Sequence, residues 1–464
     1  MTGPHVDLAV VILAWNEREN LEVLLPALRT TLEGLGISWE VVVVDGGSQD
    51  GTAEAAARHG ARVVLQRERG FGAALLEGFR AASARYIATM DADLSHPSQV
   101  LRDLWRHREE AELLIASRYV EGGSSDTHWA RRALSRLLNA VYTRLLSLPL
   151  RDISGNFRLY RSDVLGGLAI RARDFDALEE ILLKVVIRAY RVKELPFHYR
   201  SRGAGSSHVR LARFAWAYLT TLIRMWQLRN SVAAADYDHR AFDSPIWLQR
   251  YWQRTRHRIV LGALREAGLP PQASVLDVGC GSSRIIQDLP PAVGLDILLP
   301  KLRFLRARGH RRLTQASVFA LPFPDERFDA VVCSEVIEHV PDRPPLFEEL
   351  TRVLRPGGTL ILGTPDYGRP LWWVLEWLYG KILPGAYAEE HVTHYTRRSL
   401  HARLLSLGYS VRELSYVGFC EMIFCAAKPQ GTPELRAPVG LPSGMPIRSE
   451  RTPASIAPLE RTPR

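Results

Sequence analysis

Short apolar runs alternate with helical patterns along the first half of the chain, and this alternation limits the fold more than any other feature. The runs LAVVILAW, EVVVVD and RYIATM are each followed or preceded by a segment with helical spacing. Apolar strands separated by helices are typical of a parallel sheet covered on both faces. A second alternation starts at ASVLDVGCGSSRI, and 464 residues exceed what one hydrophobic core usually supports. The sequence therefore predicts an α/β protein with two domains.

Three of the predicted strands in the first half end in polar residues. The segments are ILAWNE, VVDGGS and MDADLS, and ligands gather at the carboxyl ends of the strands in such sheets. Asp91 and Asp93 alternate along an extended segment, so both carboxylates point the same way. Paired carboxylates suit a hard divalent cation. For this pair alone, an exposed turn before a helix that begins at Pro97 explains the sequence equally well.

Seven segments in a fixed order make the interpretation more specific. They are VVILAWNERENL, EVVVVDGGSQDGT, RERGFGAALLEGF, MDADLSHP, ASRYVEGG, RDISGNFRLYR and ELPFHYRSRGAGSS. Together they resemble family 2 glycosyltransferases of the GT-A fold, particularly the dolichyl- or polyprenyl-phosphate mannose/glucose synthases. The resemblance covers residues 6 to 230 and implies a nucleotide-sugar-binding domain with metal-dependent transfer chemistry.

The resemblance also implies a role for individual residues. The nucleotide pocket would be lined by Trp15, Asn16, Glu17 and Asp45. Asp91 and Asp93 would hold Mn²⁺ or Mg²⁺ against the diphosphate of a UDP- or GDP-sugar. The acceptor phosphate would be held by Arg118, Arg131 and Ser135, and Arg202 with Gly205 and Ser207 would lie near the transferred sugar. Glu180 is the candidate base if the acceptor is a hydroxyl group.

Several positions depart from the family pattern, among them Leu13 and Trp15, which give LAWNE where PxYNE is usual. Gly46 stands where a second acidic residue is usual, and Ser95 stands where the lipid-phosphate synthases often have a metal-contacting Gln. These differences leave the identity of the nucleotide and of the sugar open.

The second half begins with a strand, a glycine turn and a helix at VLDVGCGSS. Arg284 stands where a dinucleotide-binding site would have its third Gly, which argues against NAD. Residues 247 to 428 resemble class I S-adenosylmethionine-dependent methyltransferases, which have a Rossmann-like fold. By that resemblance the methionine part of the cofactor is held by Asp277, Gly279 and Gly281. Asp296 would bind the ribose, and Ser317 occupies the adenine-contacting position.

The positive charge is compatible with an anionic lipid surface, a phosphorylated substrate or nucleic acid as a partner, and compositional bias alone also explains it. The net charge of +10 comes mostly from Arg, and the segment 208–230 places apolar and basic residues on opposite faces of a helix. Packing on its own domain is the other interpretation of that helix. The aromatic insert LWWVLEWLYGKILPG has three interpretations: membrane contact, packing on its own domain, or a lid over the acceptor. No apolar run reaches the roughly 20 residues that span a bilayer.

These features predict a protein at the cytoplasmic face of the membrane, in peripheral contact with it. The four cysteines, Cys280, Cys333, Cys420 and Cys425, have no zinc-site spacing, so we expect buried free thiols. The N-terminal residues lack the basic leader of a signal peptide, and we expect no nucleic-acid partner.

The predicted organisation is a glycosyltransferase domain over 1–230, a linker over 231–246, a methyltransferase domain over 247–428 and a disordered Pro/Arg-rich tail over 429–464. The function predicted from it is bifunctional: glycosyl transfer to a polyprenyl phosphate or lipid-linked glycan, and O-methylation of a glycan or lipid. Two alternatives remain, a nucleotidyltransferase that makes a nucleotide sugar, and a non-catalytic sugar- or membrane-binding module that targets a methyltransferase.

Overall fold

Two seven-stranded sheets, each covered by helices, form the chain. The computed structural model describes residues 6–200, 211–289, 292–382 and 391–430. Nearly all of the predicted tail, from residue 431 onward, lies outside the described residues. The first sheet draws its strands from residues 6–196 and the second from residues 275–427. The predicted α/β architecture with two sheet domains is confirmed.

The first sheet has the strand order β3-β2-β1-β4-β7-β5-β8, and a two-stranded ribbon pairs β6 with β9. The strands are β1 (Val6–Ala14), β2 (Trp39–Asp45), β3 (Arg62–Leu65), β4 (Ala84–Asp91), β5 (Leu113–Ser117), β6 (Ser124–Ser125), β7 (Arg158–Arg161), β8 (Val192–Pro196) and β9 (His198–Tyr199). Strand β7 runs antiparallel to both β4 and β5. The predicted all-parallel sheet is therefore wrong at this strand.

The helices of this half cover both faces of the sheet. They are α1 (Arg18–Glu33), α2 (Thr52–Arg58), α3 (Phe71–Ala81), α4 (Val100–Arg106), α5 (Trp129–Leu145), α6 (Ser162–Leu165) and α7 (Ala177–Ile187). Val10 and Ile12 pack on one face with the leucines of α1. Val11, between them, packs on the other face with Ala74 of α3. Both faces of β1 are thus buried, which explains its continuous apolar sequence.

Register brings the polar strand ends of the first sheet together. Ala14 at the end of β1 pairs with Asp45 at the end of β2. On the other side of β1, Leu13 pairs with Asp91 at the end of β4. Because these strands are parallel, the loops that follow them meet at one edge of the sheet.

Two helices connect the sheets, α8 (Leu211–Arg229) and α9 (Tyr237–Phe242). Tyr218, Leu222 and Trp226 of α8 pack on the hydrophobic core formed by α5 and α7. These three residues of α8 therefore pack on their own domain, whereas Leu219 and Ile223 of the same helix are 49% and 50% exposed. The side chains of residues 211–217 lie outside the described part of the chain. Within the described residues, no helix has the length and apolar character that crossing a bilayer requires.

The second sheet has the order β12-β11-β10-β13-β14-β16-β15, with β16 antiparallel to both of its neighbours. Its strands are β10 (Val275–Val278), β11 (Val293–Asp296), β12 (Leu313–Gln315), β13 (Phe328–Ser334), β14 (Leu354–Pro365), β15 (Ser410–Val417) and β16 (Glu421–Ala427). The helices are α10 (Trp247–Glu266), α11 (Ile285–Asp288), α12 (Leu299–Ala307), α13 (Pro344–Val353), α14 (Pro370–Ile382) and α15 (Arg397–Ser406), with a 3-10 turn at Ile337–His339. All four cysteines are buried and unpaired, as expected.

Candidate functional site

The loops that follow β1 and β2 are hydrogen-bonded to each other. Asn16 has a left-handed backbone with φ of 54°, which Asn tolerates better than most residues. Its N–H donates to Ser48 Oγ at 2.8 Å, and its Oδ1 accepts from the Gln49 N–H at 3.0 Å. The Glu17 N–H donates to Thr52 Oγ1 at 2.9 Å. These bonds hold Asn16 and Glu17 in fixed positions at the sheet edge.

Trp15 and Asp45 lie side by side at this edge. The Asp45 carboxylate is buried and accepts from the Ser48 hydroxyl at 2.5 Å, whereas Trp15 is 52% exposed. A Cβ atom at Gly46 would lie 3.4 Å from the Trp15 Cβ, an ordinary contact distance, so position 46 lies directly against the Trp15 side chain. The open aromatic face next to a buried acid is suited to a planar base.

Asp91 and Asp93 are held at the end of β4 by neighbouring polar groups. The Asn156 amide donates to Asp91 Oδ1 at 2.9 Å. Asp93 Oδ1 accepts from both the N–H and the hydroxyl of Ser95, at 3.1 and 2.5 Å. The Asp91 N–H donates to His96 Nδ1 at 2.9 Å, and burial lowers the pKa of this His. Two oriented carboxylates form the oxygen donor set that a hard cation requires.

Asn156 was missed by the sequence reasoning as an individual residue, although it lies within the segment RDISGNFRLYR. Its backbone carbonyl accepts from the Thr89 hydroxyl, which attaches this loop to β4. Its side-chain Oδ1 is buried and accepts no hydrogen bond from any described residue. The Asn156 amide group thus orients Asp91, and the two carboxylates are oxygen ligands of the kind that fit a divalent cation.

Arg118 follows β5 and makes a buried ion pair. Its guanidinium donates to both oxygens of Asp152, at 2.7 and 2.8 Å, and to Ser154 Oγ at 3.0 Å. Although burial opposes it, Asp152 raises the pKa of Arg118, so the guanidinium stays charged. Tyr119 donates to Ser135 Oγ at 2.8 Å, which joins this loop to α5.

The predicted acceptor residues are only partly described. Arg131 lies in α5, but its side chain is outside the described part. Arg202, with Gly205 and Ser207, falls in 201–210, also outside it.

Strand β7 separates β4 from β5, so the ends of β4 and β5 lie two strand spacings apart, roughly 10 Å. The structure therefore brings Asp91, Asp93 and Arg118 to one edge.

Glu180 is buried, and its carboxylate holds a loop. Its Oε2 accepts from the Ala172 N–H at 2.7 Å, and its Oε1 is paired with Lys184 at 2.5 Å. A carboxylate with these partners positions the 171–172 segment. The role of Glu180 as a base for a hydroxyl acceptor stays a prediction.

Helix α5 carries its apolar face toward solvent. Four exposed large apolar residues recur at helical spacing along one side, Leu134, Leu137, Val141 and Leu145, and Trp129 is exposed at the first turn. Arg136 and Arg144 are exposed on the same helix. An outward apolar face of this length is unusual for a surface helix and marks an interaction surface.

The glycine turn after β10 is tied to β11. Gly279 and Gly281 have φ of 67° and 53°, which disfavours any side chain there. The Gly279 N–H donates to the Leu295 carbonyl at 2.7 Å, and the Gly281 N–H donates to Asp296 Oδ2 at 2.9 Å. A Cβ at Gly279 would lie 2.1 Å from Val336. The turn thus packs closely against the segment that follows β13.

Asp277 is a buried carboxylate at this turn. Its Oδ2 accepts no hydrogen bond from any described residue. Burial, together with nearby Asp296, raises the pKa of Asp277 to about 8. An unsatisfied carboxylate at the end of β10 is a site for a cationic ligand group.

Asp238 of α9 covers the glycine turn, and no sequence motif indicates this contact. It accepts from the Ser282 N–H at 3.2 Å and pairs with Lys301 at 2.9 Å. Burial opposes ionisation, but Lys301 and Ser282 lower the pKa of Asp238 to about 2. The segment 231–246, predicted as a linker, therefore contributes a charged group to this site.

Ser317 lies after β12, where its hydroxyl accepts from the Phe319 N–H at 3.3 Å.

Comparison with known families gives two matches. Residues 9–168 match the family described as Glycosyl transferase family 2, and residues 276–362 match the family described as Methyltransferase domain. The chain is a family 2 glycosyltransferase domain joined to a methyltransferase domain. Both are transferase domains, and both predicted resemblances are confirmed.

Curated relatives match the glycosyltransferase half. A dolichol-phosphate mannosyltransferase from Pyrococcus furiosus is 33% identical over 240 residues, which are 49% of this chain and 66% of the relative. The chain thus spans just under two thirds of that relative's length. An undecaprenyl-phosphate 4-deoxy-4-formamido-L-arabinose transferase from Salmonella paratyphi B is 28% identical over 246 residues, 50% of this chain and 73% of the relative.

Among solved structures, a glucosyl-3-phosphoglycerate synthase from Mycobacterium tuberculosis, in complex with Mn²⁺, uridine diphosphate and phosphoglyceric acid, is similar to the same half. It is 20% identical, with a TM-score of 0.40, and the match covers 48% of this chain and 79% of that structure.

Proposed function

We propose that the chain is a bifunctional enzyme that transfers a sugar from a UDP- or GDP-sugar to a polyprenyl phosphate or lipid-linked glycan and methylates an oxygen on a glycan or lipid. The observation that carries the first activity is the meeting of Asp45, Asp91 and Asp93 at one sheet edge within a family 2 glycosyltransferase domain. The named lipid-phosphate acceptors of its relatives support the acceptor class.

In this proposal the first sheet edge binds the donor. Trp15 stacks on the base, Asp45 and the loop with Asn16 and Glu17 orient the nucleoside, and Asp91 and Asp93 hold Mn²⁺ or Mg²⁺. A divalent cation, when bound there, offsets negative charge on the leaving diphosphate. Asn156 and Ser95 keep the two carboxylates oriented, which is the chain's own contribution to that charge stabilisation.

The acceptor phosphate is proposed to bind on the β5 side of the edge. Arg118 is kept charged and fixed by Asp152, so a phosphate meets a guanidinium that needs no reorganisation. Ser135 and Arg131 come from α5, and Arg202 comes from the later segment of the chain. A phosphate nucleophile needs no strong base, which agrees with the structural role of Glu180.

The second activity is proposed for the turn after β10. Asp277 with Gly279 and Gly281 would hold the methionine part of S-adenosylmethionine, Asp296 the ribose and Ser317 the adenine. The cofactor, when bound, supplies an electrophilic methyl group. The buried oxygen of Asp277 supports a cationic ligand at this position. The chain's residues orient the reactants, which is the main requirement of methyl transfer.

Membrane contact is proposed for α5, whose apolar face is exposed and which also supplies Ser135. Replacing Leu134 and Leu137 by Asp is expected to weaken binding to anionic vesicles at least tenfold, because each buried Leu contributes about 1.5 kcal/mol or more. Sedimentation with vesicles that contain phosphatidylglycerol measures the vesicle affinity of each variant. The matched control is Val23→Asp on α1, which is 59% exposed and lies on another helix. Equal loss in the control, or no loss in the double variant, would contradict the assignment of α5.

The proposed glycosyl transfer predicts a specific pair of products. Purified protein with Mn²⁺, a polyprenyl phosphate and UDP- or GDP-sugars is expected to form a glycolipid and release a nucleoside diphosphate, detected by mass spectrometry. Labelled S-adenosylmethionine added afterwards is expected to label a glycan or lipid product. Pyrophosphate release from a nucleoside triphosphate and a sugar phosphate would instead support the nucleotidyltransferase. Methylation that persists without any glycosyl transfer would support the non-catalytic targeting module.

A further inference from the structure

A group of ligand atoms lies at the end of β13, apart from the residues assigned to the two activities. Glu338 and His339 end the 3-10 turn after β13, and His391 precedes α15. One oxygen of Glu338 and one ring nitrogen from each His lie within 4.8 Å of one another. The ligand atoms around a single Zn²⁺ lie roughly 3–3.5 Å apart, so the three side chains need to close by about 1 Å to share an ion.

Glu338 is fully buried, and one of its oxygens has no hydrogen-bond donor. Its Oε2 accepts from the Thr364 hydroxyl at 3.0 Å. Its Oε1 accepts no hydrogen bond from the described residues, and His339 Nε2 lies 4.0 Å from it, beyond hydrogen-bond range. The carbonyl of Glu338 accepts from the N–H groups of Val392 and Thr393, at 2.8 and 3.0 Å. Those bonds hold the segment with His391 against the turn.

His391 has the support that a metal-binding His usually has. Its Nδ1 lies 2.8 Å from Glu376 Oε1 and 2.7 Å from the Tyr367 hydroxyl, which itself donates to Glu376 Oε1 at 2.8 Å. Donation from Nδ1–H to a carboxylate fixes the tautomer whose lone pair is on Nε2, and it orients the ring. Glu376 thus orients His391 without being one of the three ligand residues.

Charge in this region also favours a cation. Glu335 and Glu421 both contact the guanidinium of Arg256, at 3.2 and 2.6 Å. Glu335 and Glu421 are buried or nearly so, and Glu338 brings a third carboxylate close to them. Three carboxylates thus share one described Arg in a buried region, where a bound divalent cation would balance their ionised forms.

We propose that Glu338, His339 and His391 bind one divalent transition-metal ion, of the Zn²⁺ or Mn²⁺ class. Two imidazole nitrogens and one carboxylate oxygen suit such ions better than Mg²⁺ or Ca²⁺, which prefer all-oxygen sites. Three protein ligands leave coordination positions open to an outside oxygen. The site follows Val336, which packs on the turn at Gly279. Resting on the proposed function, the open positions face the methyl acceptor and take one of its oxygens.

The test is metal titration of the full-length chain that carries Asp91→Asn and Asp93→Asn, so that the acidic pair of the first domain does not bind. Calorimetry with Zn²⁺ is expected to give one ion per chain. Co²⁺ is expected to produce visible absorption bands typical of nitrogen ligands. Glu338→Gln and His391→Gln are each expected to weaken binding at least tenfold. Glu376→Gln, which acts through His391, is expected to weaken it about tenfold.

The matched control is His394→Gln. His394 stacks on Tyr367 at a centroid distance of 4.0 Å, and it is not among the three ligand residues. It is expected to bind one ion with unchanged affinity. His339→Gln serves as a second ligand variant if His391→Gln does not fold, because His339 is partly exposed. Full affinity in the Glu338, His339 and His391 variants, or no ion bound to the parent, would overturn the site. Neither result depends on a methyl acceptor, so failure here is separable from failure of the proposed methylation.

Discussion

Replacing Asp93 by Asn is expected to lower glycosyl transfer by about 10²–10³-fold, the range seen when one group that stabilises developing charge is removed. Asp93 is 4% exposed, and its side chain is already oriented by Ser95. Asn has the same shape and keeps an acceptor oxygen, but it lacks the negative charge that a divalent cation needs. The loss should therefore fall on metal-dependent turnover, while folding is retained.

The measurement is initial rate against Mn²⁺ concentration, with release of nucleoside diphosphate as the readout. A higher Mn²⁺ requirement together with a lower maximal rate is expected for Asp93→Asn. Asp103→Asn on α4 is the matched control, because Asp103 is exposed and paired only with Arg106 among the described ion pairs. A variant at position 93 that keeps both the rate and the Mn²⁺ requirement would show that the acidic pair binds no catalytic metal.

The strand ends were the most predictable part of the donor site. Parallel strands with apolar residues on both faces place their following loops at one edge, so the segments with Asn16, Asp45 and Asp91 could be assigned together from sequence. The pairings Ala14 with Asp45 and Leu13 with Asp91 follow this rule. The apolar periodicity of the strands and the polar residues that follow them are sufficient for such a prediction.

The antiparallel strand β7 could not be predicted in the same way. The chain leaves β5, forms α5 and the 146–157 loop, and enters β7 from the edge at which β5 ended. Whether a helix crosses the sheet or stays at one edge depends on its packing with distant residues. Asn156 could not be assigned individually for the same reason, since its contact with Asp91 joins residues 65 positions apart.

Apolar periodicity also could not decide which helix face is exposed. The sequence draws attention to the apolar face of α8, of which Tyr218, Leu222 and Trp226 pack on the domain core, whereas Leu219 is 49% exposed. Leu134 and Leu137 of α5 are exposed as well. A helical stripe predicts that one face is apolar, whereas only the tertiary structure decides whether that face points inward. Asp238 also could not be assigned to the site from sequence, because its contact with Ser282 joins residues 44 positions apart.

The affinity for S-adenosylmethionine is expected to rise with pH, by up to about 50-fold between pH 6 and pH 8, because the pKa of Asp277 is about 8 and the ionised fraction grows by that factor. At pH 6 the carboxyl group is protonated, so binding of the cationic methionine end must release a proton. The ligand's amino group itself loses its proton near pH 7.7–8.0 in reference peptides, so affinity should decline above about pH 8. Asp296, Asp238 and Lys301 are the charged groups that surround this end of the site.

Stability without the cofactor should change in the opposite direction. The pKa of Asp277 is higher in the folded chain than in the unfolded one, so the folded state binds the proton more tightly. This contribution to the free energy of unfolding is fully present below the unfolded pKa and is lost as pH rises toward about 8. Bound cofactor supplies a positive charge to the ionised carboxylate, so the stabilisation that it gives should grow over the same range.

Asp277→Asn tests both expectations in one variant. It is expected to weaken cofactor binding by about 10²–10³-fold, since truncating one partner of a buried charge pair costs about 2–5 kcal/mol. It should also remove most of the pH dependence between pH 6 and pH 8. Calorimetry in buffers of different ionisation enthalpy measures affinity and proton release, and thermal unfolding with and without cofactor measures the stability change. Asp329→Asn is the control, because Asp329 is an acid of the same sheet that pairs with Arg355 away from the glycine turn. Proton release that persists in Asp277→Asn would assign the titrating group to Asp296.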